Sequence, residues 1–220
     1  MALEQLEPQG FLVEPTTGKG PGVLVLHAWW GLNDTTRTLC RRLAEAGFVA
    51  FAPDLYQGEV ADTIAEAERL RDALVARHEQ ARAEILSAAA FLSDHTGQTE
   101  RPIAVIGFSL GAYFALDLSV ADPRRVSAVV VFYGTGITDF GDATASYLGH
   151  FAERDQFESP AEVDGLEEAL ERAGRPATFY RYPGTGHWFF EPDRTDAYDE
   201  EAAALAWQRT LAFLKETLGY

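Results

Sequence analysis

The sequence is poor in several features that would each point to a particular class of protein. It has a single cysteine, Cys40, which excludes an internal disulfide and a metal site built from several cysteines. No apolar run approaches the roughly 18 residues that a membrane span requires. Residues 1–8 show no basic segment followed by an apolar stretch, so we expect no secretory signal. A cytoplasmic location is the default expectation.

Positive charge is also scarce. The 18 lysines and arginines face 34 aspartates and glutamates, giving a formal net charge of −16. Nucleic acid and anionic membrane surfaces repel such a protein, so neither is an expected partner. Anionic substrates are disfavoured too, unless a local basic patch overrides the global field. The 47% of apolar residues are enough for one globular domain spanning 1–220, and a monomer is the default expectation.

Short apolar runs alternate with helical patterns along the chain. Near-continuous hydrophobicity is typical of strands that helices cover on both faces. The predicted strands are 22–27, 49–53, 103–108, 126–133, 147–151 and 178–182, with one more near the N-terminus at 10–15.

Helices are predicted between these strands. Asn33 and Asp34 can cap a helix that ends before Gly47. The pattern over 61–93 is long for one helix and should break near 78–80. Further helices are expected after residue 109 and over 161–173 and 202–218. The alternation predicts an α/β fold, with a mostly parallel sheet and helices on both faces.

The most informative motif is G-x-S-x-G at residues 107–111. It follows the strand pattern 103–106 directly and opens a helix, which is the context that the motif needs. Gly107 and Gly111 leave room for a tight turn that exposes the hydroxyl of Ser109 above the sheet. The alternative is a chance match in an ordinary turn, which the strand-helix context disfavours. We therefore predict that Ser109 is a nucleophile.

A serine hydroxyl needs a base, and a third group must orient that base. His187 follows the last predicted strand in a glycine-rich loop, and Asp155 follows the strand 147–151. The three residues are separated by 46 and 32 positions, about one helix-plus-strand unit each. All three therefore fall at the carboxyl ends of strands, where sites form in open α/β sheets. A surface role for His187 or Asp155 is the alternative.

Other titratable residues suit these roles less well. His27 and His150 are better explained as hydrogen-bonded structural histidines, and Cys40 as helix packing. No pair of ligand residues has a trustworthy metal spacing, so neither a metal nor a cofactor is predicted. The remaining rivals lie on surfaces or in less suitable positions: His78, His95, Asp142 and Glu153.

Two backbone N–H groups should stabilise the negative charge that develops during acyl transfer. Leu110 follows the nucleophile and supplies one. Trp29, in the loop after the strand 22–27, is the predicted second donor, although Trp29 and Trp30 could simply pack against the sheet edge. Aromatic residues near the histidine suggest apolar pocket walls, so the predicted substrate pocket contains Trp30, Trp188, Phe189 and Glu191.

From about residue 22 onward, the chain resembles the dienelactone hydrolase family of α/β-hydrolases. The matching segments include His27-Ala28-Trp29-Trp30-Gly31, Ala52-Pro53-Asp54-Leu55-Tyr56, the motif at 107–111, Phe132-Tyr133-Gly134, Asp155 and Gly186-His187. The set is specific, while any one segment alone is not. The resemblance implies an α/β-hydrolase fold and hydrolysis of a lactone or ester.

Three residues depart from the family pattern. The namesake enzymes use a cysteine nucleophile where this chain has Ser109, and a glutamate in the first loop where it has Ala28. They also carry an arginine that binds the substrate carboxylate, four residues after the histidine, where Glu191 stands here. Arg69, Arg71 or Arg194 could replace that arginine, and the sequence does not place any of them in the pocket.

The sequence therefore predicts hydrolysis of a small carboxylic ester or lactone through an acyl-enzyme intermediate. Three alternatives stay open: dienelactone hydrolysis proper, thioesterase or peptidase chemistry on the same residues, and a non-catalytic ligand-binding protein. Glu191 and the net charge of −16 favour neutral esters over a carboxylate-bearing lactone.

Overall fold

A computed structural model describes residues 8–97, 101–137 and 139–220; residues 1–7, on which the expectation about a secretory signal was based, lie outside this range. The strands are β1 (Gly10–Val13), β2 (Gly22–Leu26), β3 (Val49–Pro53), β4 (Ile103–Phe108), β5 (Val126–Phe132), β6 (Ser146–Arg154) and β7 (Ala177–Gly186). The helices are α1 (Asp34–Glu45), α2 (Ile64–Ala76), α3 (His78–His95), α4 (Leu110–Ala121), α5 (Pro160–Arg172) and α6 (Glu200–Leu218).

Within the described residues, the strands form one seven-stranded sheet in the order β1-β3-β2-β4-β5-β6-β7. β1 runs antiparallel to β3, and every other neighbouring pair is parallel. The predicted mostly parallel α/β sheet is thus confirmed. β4 lies at the centre, so the turn that follows it opens at the middle of the sheet edge.

Helices cover both faces of this sheet. All residues of β2, β3 and β4 are buried, as near-continuous apolar strands require. α1 and α6 pack together, with the Arg42 guanidinium 4.3 Å from the Trp207 ring. α3 and α4 pack together through His78 and Phe114, whose ring centres are 5.7 Å apart. In the part of the chain that is described, no helix has the length and apolarity needed to cross a membrane.

The long helical pattern breaks slightly earlier than predicted. The interruption is Arg77, between α2 and α3, rather than residues 78–80. Its φ and ψ of −114° and 33° leave the helical region. Its guanidinium donates to both oxygens of Glu84 and to the Leu55 carbonyl, and these bonds hold the turn. The pattern could not show this anchor because Leu55 lies 22 residues away.

The last two strands are longer than predicted, and their ends determine the site. β6 extends to Arg154 and β7 to Gly186, and these two residues pair in parallel register. His187 is therefore the first residue after a strand, and not part of a glycine-rich loop as the sequence suggested. Because Arg154 and Gly186 are partners, Asp155 and His187 leave the sheet side by side.

Candidate active site

Ser109 occupies the turn between β4 and α4 in a strained backbone conformation. Its φ is +49° and its ψ is −114°, a region that residues with a side chain rarely adopt. A Cβ at Gly107 would collide with the carbonyl oxygen of Gly111, and one at Gly111 with that of Leu26. The two glycines are therefore required for the tight turn, and they bring the start of α4 against the end of β2.

Ser109, His187 and Asp155 form a hydrogen-bonded chain across the sheet edge. Nε2 of His187 lies 3.0 Å from Oγ of Ser109, and Nδ1 lies 2.7 Å from Oδ2 of Asp155. The side chains of His187 and Asp155 are only 2% and 3% exposed. The structure brings together the three residues that the motif and chain order predicted.

The Asp155 carboxylate is fixed by its own loop. Its second oxygen, Oδ1, accepts the backbone N–H groups of Phe157 and Glu158 at 2.8 and 3.0 Å. The rival Glu153 points elsewhere and accepts the N–H of Gly184 at 2.8 Å. One Asp155 oxygen thus positions the loop while the other holds the imidazole.

The two backbone N–H groups that are predicted to stabilise the anion have no hydrogen-bond acceptor among the described residues. Neither Leu110 nor Trp29 donates its backbone N–H to a carbonyl among the residues described. The close approach of Gly111 to the carbonyls of Leu26 and His27 places the start of α4 beside the loop that carries Trp29. Two free donors on adjacent segments suit an oxyanion hole.

Aromatic rings surround one side of His187. The rings of Phe157 and Trp188 are centred 4.9 and 5.2 Å from its imidazole, and Trp29 and Trp30 lie behind Trp188 at 6.0 and 5.4 Å. The indole N–H groups of all three tryptophans are buried, with no partner in the described chain. Trp188 thus lies where the predicted pocket wall requires, and Trp30 forms the layer behind it.

Phe189 does not form a pocket wall. It is fully buried, and its ring packs against Tyr133 and Tyr182 at 5.6 and 4.9 Å. The backbone explains this placement, since Trp188 has a φ of +66° that reverses the chain directly after His187. Phe189 is therefore directed into the core while Trp188 stays at the site.

Glu191 is buried beside the site and bonded to a residue that sequence reasoning missed. Tyr133 donates its hydroxyl to Oε1 of Glu191 at 2.8 Å, and its ring lies 4.8 Å from that of His187. Burial raises the pKa of Glu191 to about 8. The hydrogen bond from Tyr133 and the charge of Arg194 lower this pKa, while the charge of Asp193 raises it. Tyr133 also has a φ of +36°. The sequence signals were its place at the end of the predicted strand 126–133 and in the family-like segment Phe132-Tyr133-Gly134.

A cavity of about 370 Å³ opens between α1 and the turn formed by residues 190–193. Its walls include Ala28, Phe108 and Phe190, together with several threonines of α1. Four charged residues also line it: Asp34, Arg42, Glu191 and Asp193. Ala28 precedes Trp29 and Phe108 precedes Ser109, so the cavity adjoins the nucleophile turn. The sequence could not show it, because its walls come from four separated segments.

The three arginines that could have replaced the family's arginine are each paired with a carboxylate. Arg69 pairs with Glu59, Arg71 with Asp72, and Arg194 with Asp193. The guanidinium groups of Arg71 and Arg194 lie 5.8 and 3.8 Å from the Trp29 and Trp30 rings. Arg71 and Arg194 therefore lie beside the tryptophan rings, and each is already paired with a carboxylate.

The histidines judged structural from the sequence are buried and hydrogen-bonded. Nδ1 of His27 bonds to the Ala28 carbonyl at 2.7 Å, and burial lowers the His27 pKa. His150 contacts the hydroxyls of Tyr182 and Thr210, and burial lowers its pKa to about 3. Both are therefore neutral parts of the core near neutral pH.

A strained serine turn after the central strand, with an Asp–His pair at the ends of two later strands, is the arrangement typical of an α/β-hydrolase. A family model described as "Dienelactone hydrolase family" matches residues 9–218. The chain belongs to the dienelactone hydrolase family.

Individual relatives agree with this assignment. "Protein usf" of Aquifex pyrophilus is 33% identical, covering 96% of this chain and 94% of its own. A protein of Aquifex aeolicus named "Putative carboxymethylenebutenolidase" is 30% identical over the same shares. The crystal structure of a "Putative Dienelactone Hydrolase" from Klebsiella pneumoniae superposes with a TM-score of 0.81 at 28% identity, covering 94% of this chain and 92% of the other.

Proposed function

We propose that this protein hydrolyses a small carboxylic ester or lactone through an acyl-enzyme formed on Ser109. The observation that carries the proposal is the hydrogen-bonded chain from Ser109 Oγ through His187 to Asp155, at 3.0 and 2.7 Å. Membership of a hydrolase family supports the same chemistry.

The distances support a proposed role for each residue. His187 Nε2 takes the Ser109 proton as Oγ attacks the carbonyl carbon, and Asp155 holds the imidazole in the required tautomer and stabilises its charged form. The backbone N–H groups of Leu110 and Trp29 bind the oxyanion. His187 then donates the proton to the leaving oxygen. A water molecule, deprotonated by His187, releases the acyl group in the second half of the cycle.

The proposed substrate is a neutral small molecule. A carboxylate in the pocket would need a cationic partner to offset its lost hydration. The three candidate arginines are engaged with Glu59, Asp72 and Asp193, and Glu191 stands where the family's arginine would be. Short neutral esters therefore suit this site better than dienelactone.

Labelling with a fluorophosphonate tests the proposal. We expect one adduct, on Ser109, and a loss of esterase activity of about 10⁴-fold or more in Ser109→Ala. Ser119→Ala is the matched control, because Ser119 is a buried serine of α4 that bonds to Tyr147 far from His187. Labelling at another residue, or an active Ser109→Ala protein, would contradict the proposal.

A further inference from the structure

The cavity between α1 and residues 190–193 contains a polar atom without a partner. Glu191 is 4% exposed, and its Oε1 accepts the Tyr133 hydroxyl. Its Oε2 has no hydrogen bond to the described residues, and Glu191 lines the cavity. This oxygen is therefore free to hydrogen-bond a ligand or a water molecule.

The position of His187 decides which half of an ester enters the cavity. The leaving oxygen must meet His187 Nε2, which protonates it. His187 packs against Tyr133, Phe157 and Trp188, and none of these lines the cavity. The leaving group therefore lies along Phe157 and Trp188. The acyl chain takes the other direction, past Phe108 and Ala28, into the cavity.

The charges around the cavity favour an uncharged polar group. Glu191 is neutral at pH 7 because burial raises its pKa to about 8. Asp193 is held by Thr35 and Arg194, and the Arg42 guanidinium lies over the Trp207 ring. Arg42 and Asp34 also line the cavity, but Glu191 itself is uncharged at pH 7, so the group that bonds Glu191 is best an uncharged polar one. A hydroxyl fits, because it both accepts and donates.

We propose that Glu191 is a specificity-determining residue that hydrogen-bonds a hydroxyl on the acyl chain, so that short hydroxyacyl esters are the preferred substrates. The inference rests on the proposed hydrolase function. A site built to bond a substrate hydroxyl discriminates against the analogue that lacks it, since the site's polar group is then left without a partner. The cavity volume of about 370 Å³ is sufficient for a short acyl chain.

Two isosteric esters test this inference. The p-nitrophenyl esters of 3-hydroxybutyrate and 3-methylbutyrate differ by a hydroxyl in place of a methyl group and share one leaving group. The quantity measured is the ratio of their kcat/KM values, which does not depend on the active fraction of a preparation. We expect the natural protein to prefer the hydroxyacyl ester and Glu191→Leu to lower the ratio about tenfold.

Three variants sharpen the comparison. Glu191→Gln keeps a donor and an acceptor, so the ratio should stay within about threefold. The double variant Tyr133→Phe/Glu191→Leu avoids a buried unpartnered hydroxyl and should show the same tenfold loss, even if Glu191→Leu alone folds poorly. Glu168→Gln removes an exposed carboxylate of α5 and should leave the ratio unchanged.

The outcomes separate the two proposals. If neither ester is hydrolysed, the proposed function fails. If both esters are hydrolysed but the natural protein prefers the methyl analogue, only the assignment of Glu191 fails. The same holds if Glu191→Leu leaves the ratio of the two kcat/KM values unchanged. A faster reaction with p-nitrophenyl 3-aminobutyrate than with the hydroxyacyl ester also overturns it, since the cavity would then select a cation.

Discussion

At the scale of single residues, Asp155 and Glu153 show how two neighbouring carboxylates take different roles. Asp155 follows the end of β6 and bonds His187, while Glu153 lies in the strand and bonds the Gly184 N–H. Chain order favoured Asp155 in the sequence, because the acid of this fold follows the strand after the nucleophile.

Replacing Asp155 by Asn should lower kcat by roughly 10⁴-fold, the size of effect seen when a triad acid is amidated in trypsin. The amide leaves the geometry similar but favours the wrong imidazole tautomer. Glu153→Gln is the control and should retain most activity. Steady-state kinetics on p-nitrophenyl butyrate measures both, and a greater loss in Glu153→Gln would reassign the acid.

Glu191 provides a second prediction, about stability. Its pKa is about 8 in the folded protein, above the ordinary value of 4.5. The folded state therefore keeps a proton that the unfolded chain releases, and this contribution to stability is lost as pH rises from about 4.5 to 8. We compare the free energy of unfolding of Glu191→Gln with that of the natural protein at each pH. The difference should favour the variant more at pH 8 than at pH 5, by about 1 kcal/mol or more. Urea unfolding at both pH values measures this, and a constant difference would refute it.

The sequence predicted Ser109 and His187 because each lies in a motif with a local meaning. The Tyr133–Glu191 bond could not be predicted in this way. Its partners are 58 positions apart, and although the sequence drew attention to each of them, nothing in it indicated that they are bonded to each other. Only the fold shows that Tyr133 links the buried carboxyl to the His187 ring.

At the scale of elements, His150 ties the end of the sheet to its covering helix. The side chain lies on β6 and contacts Tyr182 of β7 and Thr210 of α6. Burial lowers its pKa to about 3, so it stays neutral where an exposed histidine would be charged. The unfolded chain gains a proton there below pH 6.5, and the folded one does not.

Although the Glu191 contribution grows as pH falls from about 8 to 4.5, the His150 contribution should lower the stability as pH falls from about 6.5 toward 3, by up to about 1.4 kcal/mol per pH unit. His27, whose pKa burial also lowers, adds in the same direction. His150→Asn should be less stable at pH 7 but show a shallower decline. Urea unfolding at pH 7, 6 and 5 tests this, with the partly exposed His95→Gln as control. An unchanged slope in His150→Asn would be the contrary result.

The elements also show where periodicity stops being informative. The apolar strand cores were predicted, because burial on both faces leaves a continuous signal. The ends of β6 and β7 were not, since residues 152–154 and 183–186 carry polar residues, proline and glycine that also suit loops. Pairing between Arg154 and Gly186 extends both strands, and this pairing depends on the tertiary structure, because the two residues are distant in the sequence.

At the scale of the whole molecule, the sequence predicted the α/β class and a parallel sheet but not the strand order. Alternation of strands and helices sets direction and handedness, whereas the order β1-β3-β2-β4-β5-β6-β7 depends on which edges pair. Net charge is likewise a property of the entire chain, and at −16 it repels every anionic substrate that approaches.

We expect p-nitrophenyl acetate or butyrate to have a higher kcat/KM than dienelactone on the same preparation. The carboxylate of dienelactone meets the net charge of −16 during approach, and in the pocket it meets the uncharged Glu191 where the family carries an arginine. Added salt screens the long-range repulsion, so kcat/KM for dienelactone should rise with ionic strength while that of the neutral ester stays constant. Faster dienelactone hydrolysis that weakens with salt would place an uncompensated arginine in the pocket.

The burial of Cys40 has a consequence for where this protein can work. Its thiol is fully buried in α1, and burial raises its pKa to about 12, so little of the reactive thiolate forms. The proposed nucleophile is a hydroxyl, which peroxide does not convert to a sulfenic acid as it does a thiolate. Turnover should therefore survive exposure to hydrogen peroxide or iodoacetamide, measured as residual esterase activity, and loss of activity with a modified Cys40 would show otherwise. Hydrolysis by this chain is in that sense independent of the redox state of its surroundings.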